Sequence, residues 1–581
     1  MAGDKSGQSN VDRRSVLALG GAGLVAASFS ASTEAGAKDA RGFDQEVDII
    51  CVGSGAAGLA AAVTATANGD KVIVIDKQPI AGGTTLKSGA AAWLPGNSMM
   101  KAAAGQTDDE DACIRYMCRF AYPRQYAPDL PDYGVGPERM ALLRAFYRNA
   151  ALVEDRLRKL GALDLVTFEI PGSTTVATDY APGLPENKGI RGRTMWAKPM
   201  PDGTFGGPAM IARMTGWLEK QGVPVLTGHE ATALIMAQGR ATGLEVKTAD
   251  STIRLGARKG VIFASGGFAH SETLLRLHQP PVLGSCAMPS STGDFIPIAE
   301  AVGAAMGTLS TAWRMQVVLE EAMANRVLAQ GVFIPPGDAM LEVNRLGKRA
   351  VNEKRHYSDR TQVHFEYSLT NDDYPNDVMI MIFDQRGIDI YGGAYPIPEK
   401  AGDSPYIITG NTLADLASAI AARMATLKTI IGEAPLASDF AANLEASVAR
   451  FNQFARTGVD EDFARGSNPH EAEWMPFFSP RRAGAPPADK EQRYPNSVLH
   501  PLTDNGPYYA ILLGPGALDT CGGPLTDAEA RILDSKGKPI PGLFGAGNCI
   551  SSPTGGQYFG GGGTIGPALT FAYIAANSAH V

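Results

Sequence analysis

Residues 46–58, EVDIICVGSGAAG, join a short apolar run to a glycine-rich turn, and this junction decides the fold. The apolar half is typical of a buried strand, and the alanine-rich stretch 59–67 is typical of a helix. A second apolar run, KVIVID over 71–76, ends in Asp76, which lies 21 residues after Gly55. Strand, glycine turn, helix, strand and acid in this order predict a Rossmann-like unit that binds a dinucleotide.

Each glycine of the turn has a chemical reason. Gly53 permits the tight turn, Gly55 lets the backbone approach a pyrophosphate, and Gly58 lets the helix pack closely on the strand. The helix N-terminus favours an anion, and Asp76 can accept a hydrogen bond from a ribose hydroxyl. The predicted nucleotide contacts in this unit are Gly53, Ser54, Gly55, Ala56, Ala57, Gly58, Asp76 and Lys77.

Other glycine-rich segments favour FAD over NAD. The loop AGGTTLKSG, residues 81–89, resembles the segment that lies against the pyrophosphate and isoalloxazine of FAD in a large flavoenzyme superfamily. The strand end at 261–268, the STGD segment at 291–294 and PGLFGAGN at 541–548 fit the same pattern, and a helix beginning near Thr564 offers its positive dipole to the flavin. The predicted contacts added here are Gly83, Thr84, Thr85, Ser88, Gly89, Gly266, Gly267, Asp294, Gly547, Asn548, Thr564 and Ile565.

Cofactor segments at both ends of the chain imply a FAD domain that is interrupted by an insertion. The predicted fold class is α/β: a Rossmann-like FAD-binding domain of the glutathione reductase type with an inserted α+β catalytic or cap domain. We place the two parts of the FAD domain at 43–318 and 499–581, and the inserted domain at 319–498.

Composition agrees with a globular enzyme. The chain has 581 residues, of which 44% are hydrophobic, and 52 basic against 60 acidic residues give a net charge of -8. No concentrated basic stripe occurs, so nucleic acid is not expected as a partner. The mature chain contains no apolar run of about 18 residues that would span a bilayer. The six cysteines do not show metal-site spacing, so we expect free thiols and no metal.

The first 37 residues are predicted to be a signal peptide. Arg13-Arg14 precede a moderately apolar stretch at 15–27, and Ala35-Gly36-Ala37 offers small residues at a cleavage site. A twin arginine before such a stretch resembles the signal that exports folded, cofactor-loaded proteins. The expected location is the periplasm or outside the cell, with a membrane-associated or cytoplasmic protein as the alternative.

Two tyrosines stand out in motifs that otherwise resemble the fumarate reductase and succinate dehydrogenase flavoproteins. Tyr357 follows Asn352-Glu353, and Tyr558 lies in GGQYFGGGG over 555–563. These positions hold arginines in the fumarate reductases. A phenol lacks the planar fork of donors with which guanidinium binds a carboxylate, but it can hydrogen-bond a ketone or remove a proton as phenolate. The exchange favours an apolar ketone as substrate.

These motifs resemble the 3-ketosteroid Δ1-dehydrogenase branch of that superfamily over almost all of the chain after residue 45. The resemblance implies that Tyr357 is the base that removes an α-proton, and that Tyr558 and the Gly562 amide hold the ketone. It places a helper tyrosine at Tyr116, with Tyr122 and Tyr126 as neighbouring alternatives. Hydrogen bonding from the helper would stabilise the phenolate, and His356 or Arg355 would add to this. The chain departs from the family at Phe559, where proline is usual.

The resemblance implies dehydrogenation of the 1,2-bond of a 3-ketosteroid, with a quinone, cytochrome or other electron acceptor left open. Within the same class, a 4,5-bond of a 5α-reduced ketosteroid or another cyclic ketone stays an alternative. A reductase of unsaturated acids is a second class, supported by arginines that could supply the displaced guanidinium: Arg115, Arg193, Arg345, Arg349, Arg355 and Arg360. An electron-transfer flavoprotein without catalytic activity is a third.

Overall fold

The computed structural model describes residues 42–170, 174–486 and 493–581. Its strands are β1 Gln45–Val52, β2 Val72–Asp76, β3 Ala91–Trp93, β4 Leu165–Thr167, β5 Thr194–Ala197, β6 Val225–Thr227, β7 Glu230–Ala237, β8 Arg240–Lys247, β9 Thr252–Phe263, β10 Ala312–Val318, β11 Met340–Val343, β12 Met379–Asp384, β13 Ile408–Gly410, β14 Tyr508–Thr520, β15 Arg531–Leu533 and β16 Pro539–Gly545. Its α-helices are α1 Ala56–Ala67, α2 Met100–Ala104, α3 Glu110–Ala121, α4 Pro137–Lys159, α5 Gly206–Lys220, α6 Glu272–His278, α7 Phe295–Glu300, α8 Leu319–Ala324, α9 Tyr357–Arg360, α10 Gln385–Tyr391, α11 Leu413–Ile431, α12 Phe440–Thr457, α13 Pro469–Phe478 and α14 Ile565–His580.

The largest sheet is built around β1. This strand runs parallel to β2 on one side and to β9 on the other, with Ile50 opposite both Ile73 and Val261. The strand order is β15-β16-β9-β1-β2-β6, and the antiparallel pair β7-β8 joins at β9. Central parallel strands are covered on both faces, which explains the nearly continuous apolar runs of β1 and β2. The predicted strand-helix-strand unit is confirmed.

The two ends of the chain meet in this layer. Strand β16 pairs in parallel with β9, with Leu543 opposite Val261. Helix α14 then packs beside α1, and the Asn68 amide donates a hydrogen bond to Asn577 Oδ1 at 2.9 Å. The predicted α/β fold, in which cofactor segments from both ends form one unit, is confirmed.

A second sheet lies in the middle of the chain. It is antiparallel in the order β10-β14-β12-β11, with β13 added to β14. Strands β10 and β14 lie outside the predicted inserted range 319–498, so the sheet extends beyond that range at both ends. The domain limits themselves stay a prediction. A small third sheet, β3-β5-β4, contacts α14 through β3 and α5 through β5.

The described residues include no helix that is long and apolar enough to cross a membrane. All six cysteines are buried free thiols, as expected. The predicted signal peptide, residues 1–37, lies outside the described residues.

Candidate active site

The glycine turn 53–58 forms a tight connection between β1 and α1. Gly53 has φ +105°, and a Cβ there would lie 2.4 Å from the Ala264 carbonyl oxygen. A Cβ on Gly58 would lie 1.8 Å from the Gly53 oxygen. At Gly55, by contrast, a Cβ would meet only Thr85 Oγ1 at 3.6 Å and the Gly82 oxygen at 3.8 Å. Gly53 and Gly58 therefore serve packing, and Gly55 keeps the space in front of the helix open.

The loop 81–89 folds onto this turn. The Ser54 amide and hydroxyl both donate to Asp76 Oδ2, at 2.8 and 2.5 Å, and the Gly82 amide donates to Ser54 Oγ. The Ala56 amide donates to Thr85 Oγ1 at 3.0 Å, which caps the first turn of α1. The two predicted cofactor segments therefore form one cradle, with Asp76 at its end.

Lys77 and Asp294 extend the cradle. Lys77 Nζ lies 2.5 Å from Asp294 Oδ2 and donates to Thr292 Oγ1 at 2.6 Å, which brings together two predicted cofactor residues that are 217 positions apart. Ser88 belongs to the same loop and donates to the Thr85 oxygen at 2.8 Å.

The strand end at Gly266-Gly267 joins the C-terminal segment through Asp519, which the sequence reasoning missed. This carboxylate accepts hydrogen bonds from the Gly267 amide and Asn548 Nδ2, and Asn548 Oδ1 accepts one from Trp313 Nε1 at 2.9 Å. Burial raises the pKa of Asp519. Its only sequence signal is an isolated acid at the end of the apolar strand β14.

These segments fit FAD. The N-cap of α1, Gly55, makes no side-chain hydrogen bond of its own, and a Cβ there would make only ordinary contacts with Thr85 and Gly82, so the helix N-terminus has room for a pyrophosphate. Gly547 packs against Ala57, so the start of α14 at Thr564-Ile565 lies beside the start of α1. A small cavity lined by Trp313, Asn548 and Thr564 lies at this cradle. The Trp313 ring also contacts the Tyr558 ring edge-on, with centroids 5.5 Å apart.

Tyr357 and Tyr558 meet, although 200 residues separate them. Their rings are T-shaped with centroids 5.1 Å apart, and each residue is 4% exposed. Tyr357 is the first residue of α9, and Tyr558 lies in the loop before α14. Gly562 follows in that loop with φ +89°, and its amide has no acceptor among the described residues. The predicted ketone-binding groups therefore lie in one loop, and Tyr558 of this loop contacts the predicted base.

The residue that contacts Tyr357 through its hydroxyl is Tyr180. The two hydroxyl oxygens are 3.4 Å apart, and the Tyr180 ring also stacks on Tyr558 with centroids 5.8 Å apart. Tyr180 is not predictable from the sequence, because it lies in an irregular loop without a glycine motif. The sequence feature that indicates this loop is Asp179, the acid before Tyr180. Its carboxylate accepts hydrogen bonds from Arg193 and from the Trp93 indole, and these bonds fix the loop.

Tyr116 lies on α3, but its hydroxyl makes a different contact from the one expected. Its hydroxyl donates to the Phe559 oxygen at 2.8 Å, and the same oxygen accepts the Tyr180 amide at 2.9 Å. Tyr116 therefore ties the Tyr180 loop to the Tyr558 loop, and its hydroxyl bonds to a carbonyl instead of Tyr357. The alternative Tyr122 packs under Arg139, and Tyr126 packs near Arg119.

A buried arginine fixes the segment that carries Tyr357. Arg360 Nε donates to Gln316 Oε1 at 2.6 Å, and its terminal nitrogens donate to the oxygens of Val332, Phe333 and Arg355. Thr361 Oγ1 donates to the Tyr357 oxygen at 2.7 Å. These bonds hold α9 against β10, so Tyr357 has a defined position.

The tyrosines are neutral before reaction. Burial is the main cause that raises the pKa of Tyr357. Burial likewise raises the pKa of Tyr180 and of Tyr558. The surrounding walls are apolar and aromatic: Phe168, Trp313, Phe333, Trp474, Phe477 and Phe478. Such a site suits a flat apolar molecule with one polar oxygen.

Comparison with known proteins agrees with this geometry. Residues 48–565 match the family described as FAD binding domain. The chain is 32% identical to a 3-oxosteroid 1-dehydrogenase of Mycobacterium tuberculosis, covering 92% of this chain and 98% of that protein. It is 29% identical to a 4-oxocyclohexanecarboxylate 2-dehydrogenase of Sinomonas cyclohexanicum, covering 91% and 92%.

A solved structure shows the same fold. A 3-ketosteroid Δ1-dehydrogenase from Sterolibacterium denitrificans, in complex with 1,4-androstadiene-3,17-dione, superposes with a TM-score of 0.76 at 25% identity, covering 92% of this chain and 99% of that one. The resemblance stated from the motifs is confirmed, and so is FAD as the cofactor. The chain belongs to the FAD-dependent oxidoreductase family that contains the 3-oxosteroid 1-dehydrogenases.

Proposed function

We propose that the protein dehydrogenates the 1,2-bond of a 3-ketosteroid. The observation that carries the proposal is the buried contact of Tyr357, Tyr180 and Tyr558 inside an aromatic cluster beside the FAD cradle. The relatives named as 3-oxosteroid 1-dehydrogenases support the same substrate class.

The ketone oxygen would lie between Tyr558 and Gly562. A hydroxyl and an amide that both donate to this oxygen stabilise the negative charge that develops when an α-proton leaves. One such donor is typically worth about 3 kcal/mol in the transition state. The apolar walls exclude water, which strengthens both hydrogen bonds.

Tyr357 would remove the α-proton. Burial opposes its ionisation, so the phenolate needs a donor, and the Tyr180 hydroxyl at 3.4 Å is placed to supply it. Tyr180 takes the helper role that the resemblance assigned to Tyr116. FAD supplies the acceptor for the hydride that leaves the neighbouring carbon.

The arginines argue against a dicarboxylate substrate. A reductase of unsaturated acids needs a guanidinium that is available to the substrate, but each arginine considered for this role has partners within the protein. Arg360 binds Gln316 and backbone oxygens, and five others pair with acids: Arg115 with Asp111, Arg193 with Asp108, Arg345 with Asp373, Arg349 with Glu353 and Arg355 with Asp359.

The test compares substrates on the purified yellow protein. Androst-4-ene-3,17-dione with an artificial electron acceptor is expected to give the 1,4-diene, and product analysis separates 1,2- from 4,5-oxidation. Fumarate with a reduced dye and 4-oxocyclohexanecarboxylate are the parallel assays. Faster turnover of either one than of the steroid would overturn the proposal.

We also propose export through the twin-arginine route, supported by Arg13-Arg14 and the small residues at 35–37. Replacing both arginines by lysine is expected to retain folded, yellow protein in the cytoplasm. Unchanged fractionation of that variant would contradict the proposal.

A further inference from the structure

The proposed reaction, on which this inference rests, moves one proton to Tyr357 in each turnover. Tyr357 and Tyr180 are 4% and 3% exposed, so neither phenol has ready contact with solvent. A neutral phenol must also lose its own proton before it can accept one from carbon. A group beside the tyrosine pair therefore has to take up a proton and pass it outward.

His356 lies at the tyrosine pair. Its ring stacks on Tyr180 with centroids 4.9 Å apart and planes 24° apart, and it immediately precedes Tyr357. The imidazole is 1% exposed, and neither ring nitrogen makes a well-angled hydrogen bond to a described residue. A buried imidazole without such bonds is not committed to another partner, and histidine is the side chain best suited to relay a proton.

Asp359 connects His356 to the surface. His356 Nε2 lies 3.0 Å from Asp359 Oδ2, which is the distance of an ion pair although the ring direction is poor for a hydrogen bond. The Asp359 side chain is 19% exposed and also pairs with Arg355, whose side chain is 51% exposed. Burial opposes ionisation of Asp359, but His356 and Arg355 outweigh it and hold its pKa at about 2. An ionised carboxylate stabilises an imidazolium at its inner side.

A second histidine, His470, also contacts Tyr180 but differs from His356 in its charged neighbours. It contacts the Tyr180 ring edge-on at 4.9 Å and is equally buried, but no carboxylate pairs with it among the described residues. Burial, with His356 and Arg355 adding to it, keeps its pKa well below the ordinary histidine value. The charged and titratable groups around His356 are thus Arg355, Tyr357, Asp359, Tyr180 and His470.

We propose that His356, paired with Asp359, is the proton outlet of the active site. The proton of the Tyr357 hydroxyl passes by way of the Tyr180 hydroxyl to an imidazole nitrogen of His356, while Tyr357 takes the α-proton of the ketone. The imidazole, which makes no well-angled hydrogen bond to a described residue, turns from its stack to accept the proton. The imidazolium then releases its proton to solvent beside Asp359. In each turnover Tyr357 takes up one proton from the substrate carbon, and His356 releases one proton at the surface. The hydride goes to FAD, as in the proposed reaction, so no further oxidant is required.

The test measures the rate at which excess androst-4-ene-3,17-dione bleaches the flavin of the holoenzyme in the absence of an acceptor. His356→Phe keeps the aromatic stack but cannot carry a proton, and His356→Ala leaves space for an added ring. Both are expected to stay yellow and to react roughly a hundredfold or more slowly, the lower end of the range that a proton-transfer residue contributes. Added imidazole is expected to restore much of the rate of His356→Ala.

Pyrrole and His470→Ala are the controls. Pyrrole has the same shape as imidazole without its basic nitrogen, so it is expected not to restore His356→Ala, and imidazole is expected not to restore any rate that His470→Ala loses. Equal rescue by pyrrole, or wild-type bleaching in His356→Phe, would show that His356 only packs. If the wild-type protein is not bleached at all, the proposed function fails instead.

Discussion

At the scale of single residues, the chemistry depends on which hydroxyl faces Tyr357. Tyr180 and Tyr116 are both buried and both connected to the Tyr558 loop, but the Tyr180 oxygen is 3.4 Å from Tyr357, whereas the Tyr116 hydroxyl binds the Phe559 carbonyl. The Tyr180 hydroxyl can donate to the Tyr357 phenolate and so favours ionisation of Tyr357, whereas the Tyr116 hydroxyl, which donates to a backbone oxygen, does not affect this ionisation directly.

Removing the Tyr180 hydroxyl is therefore expected to change the pH dependence of the reaction. In Tyr180→Phe the phenolate of Tyr357 loses its donor, so the pKa of Tyr357 rises further and the activity moves to higher pH. Tyr116→Phe is the matched control, because it loosens the loop and lowers activity without moving the profile. The measurement is kcat/KM for the ketone against pH, and a shift in Tyr116→Phe alone would restore Tyr116 to the helper role.

Tyr357 and Tyr558 could be predicted because each lies in a short motif, Asn-Glu-x-x-x-Tyr and a glycine-rich loop, whose spacing is visible in the sequence. Tyr180 and Asp519 could not, because their partners are distant: Tyr180 meets a residue 177 positions away, and Asp519 meets one 252 positions away. No local pattern encodes such contacts.

At the scale of elements, two glycines at the start of α1 have different structural roles. Gly58 touches backbone, so any side chain there collides with Gly53, whereas Gly55 faces the open space of the FAD cradle. Local pattern predicted β1, α1 and β2 well, because burial of these elements follows the apolar runs. It did not predict that β14 would extend the middle sheet beyond 319–498, because pairing between β10 and β14 spans about 200 residues.

Substitutions of the two glycines are expected to have different effects. Gly55→Val places a side chain where the pyrophosphate must lie, so the protein should fold but purify without yellow colour. Gly58→Ala pushes a methyl group into the Gly53 carbonyl and should lower the melting temperature of the FAD-free protein. Circular dichroism reports the fold and absorbance at the flavin band reports occupancy. Full FAD occupancy in Gly55→Val would rule out this placement of the cofactor.

At the scale of the whole molecule, the active site forms only when distant parts of the chain come together. Tyr180 comes from the N-terminal half, Tyr357 from the segment after β11, and Tyr558 from the last cofactor segment. The C-terminal segment that carries Tyr558 also pairs β16 with β9 and packs α14 on α1. FAD binding and assembly of the tyrosines therefore require the same long-range contacts.

The central claim is that Tyr357 is the base of a ketone dehydrogenase, and exchange of the substrate α-proton with solvent tests it most directly. Exchange requires the base and the two ketone donors but no electron acceptor. With a 3-ketosteroid in deuterated water, the wild-type protein is expected to exchange the α-proton. Tyr357→Phe, yellow and folded, is expected to lose roughly a hundredfold or more of this rate and of turnover. Exchange and turnover near the wild-type rate in Tyr357→Phe would contradict the account.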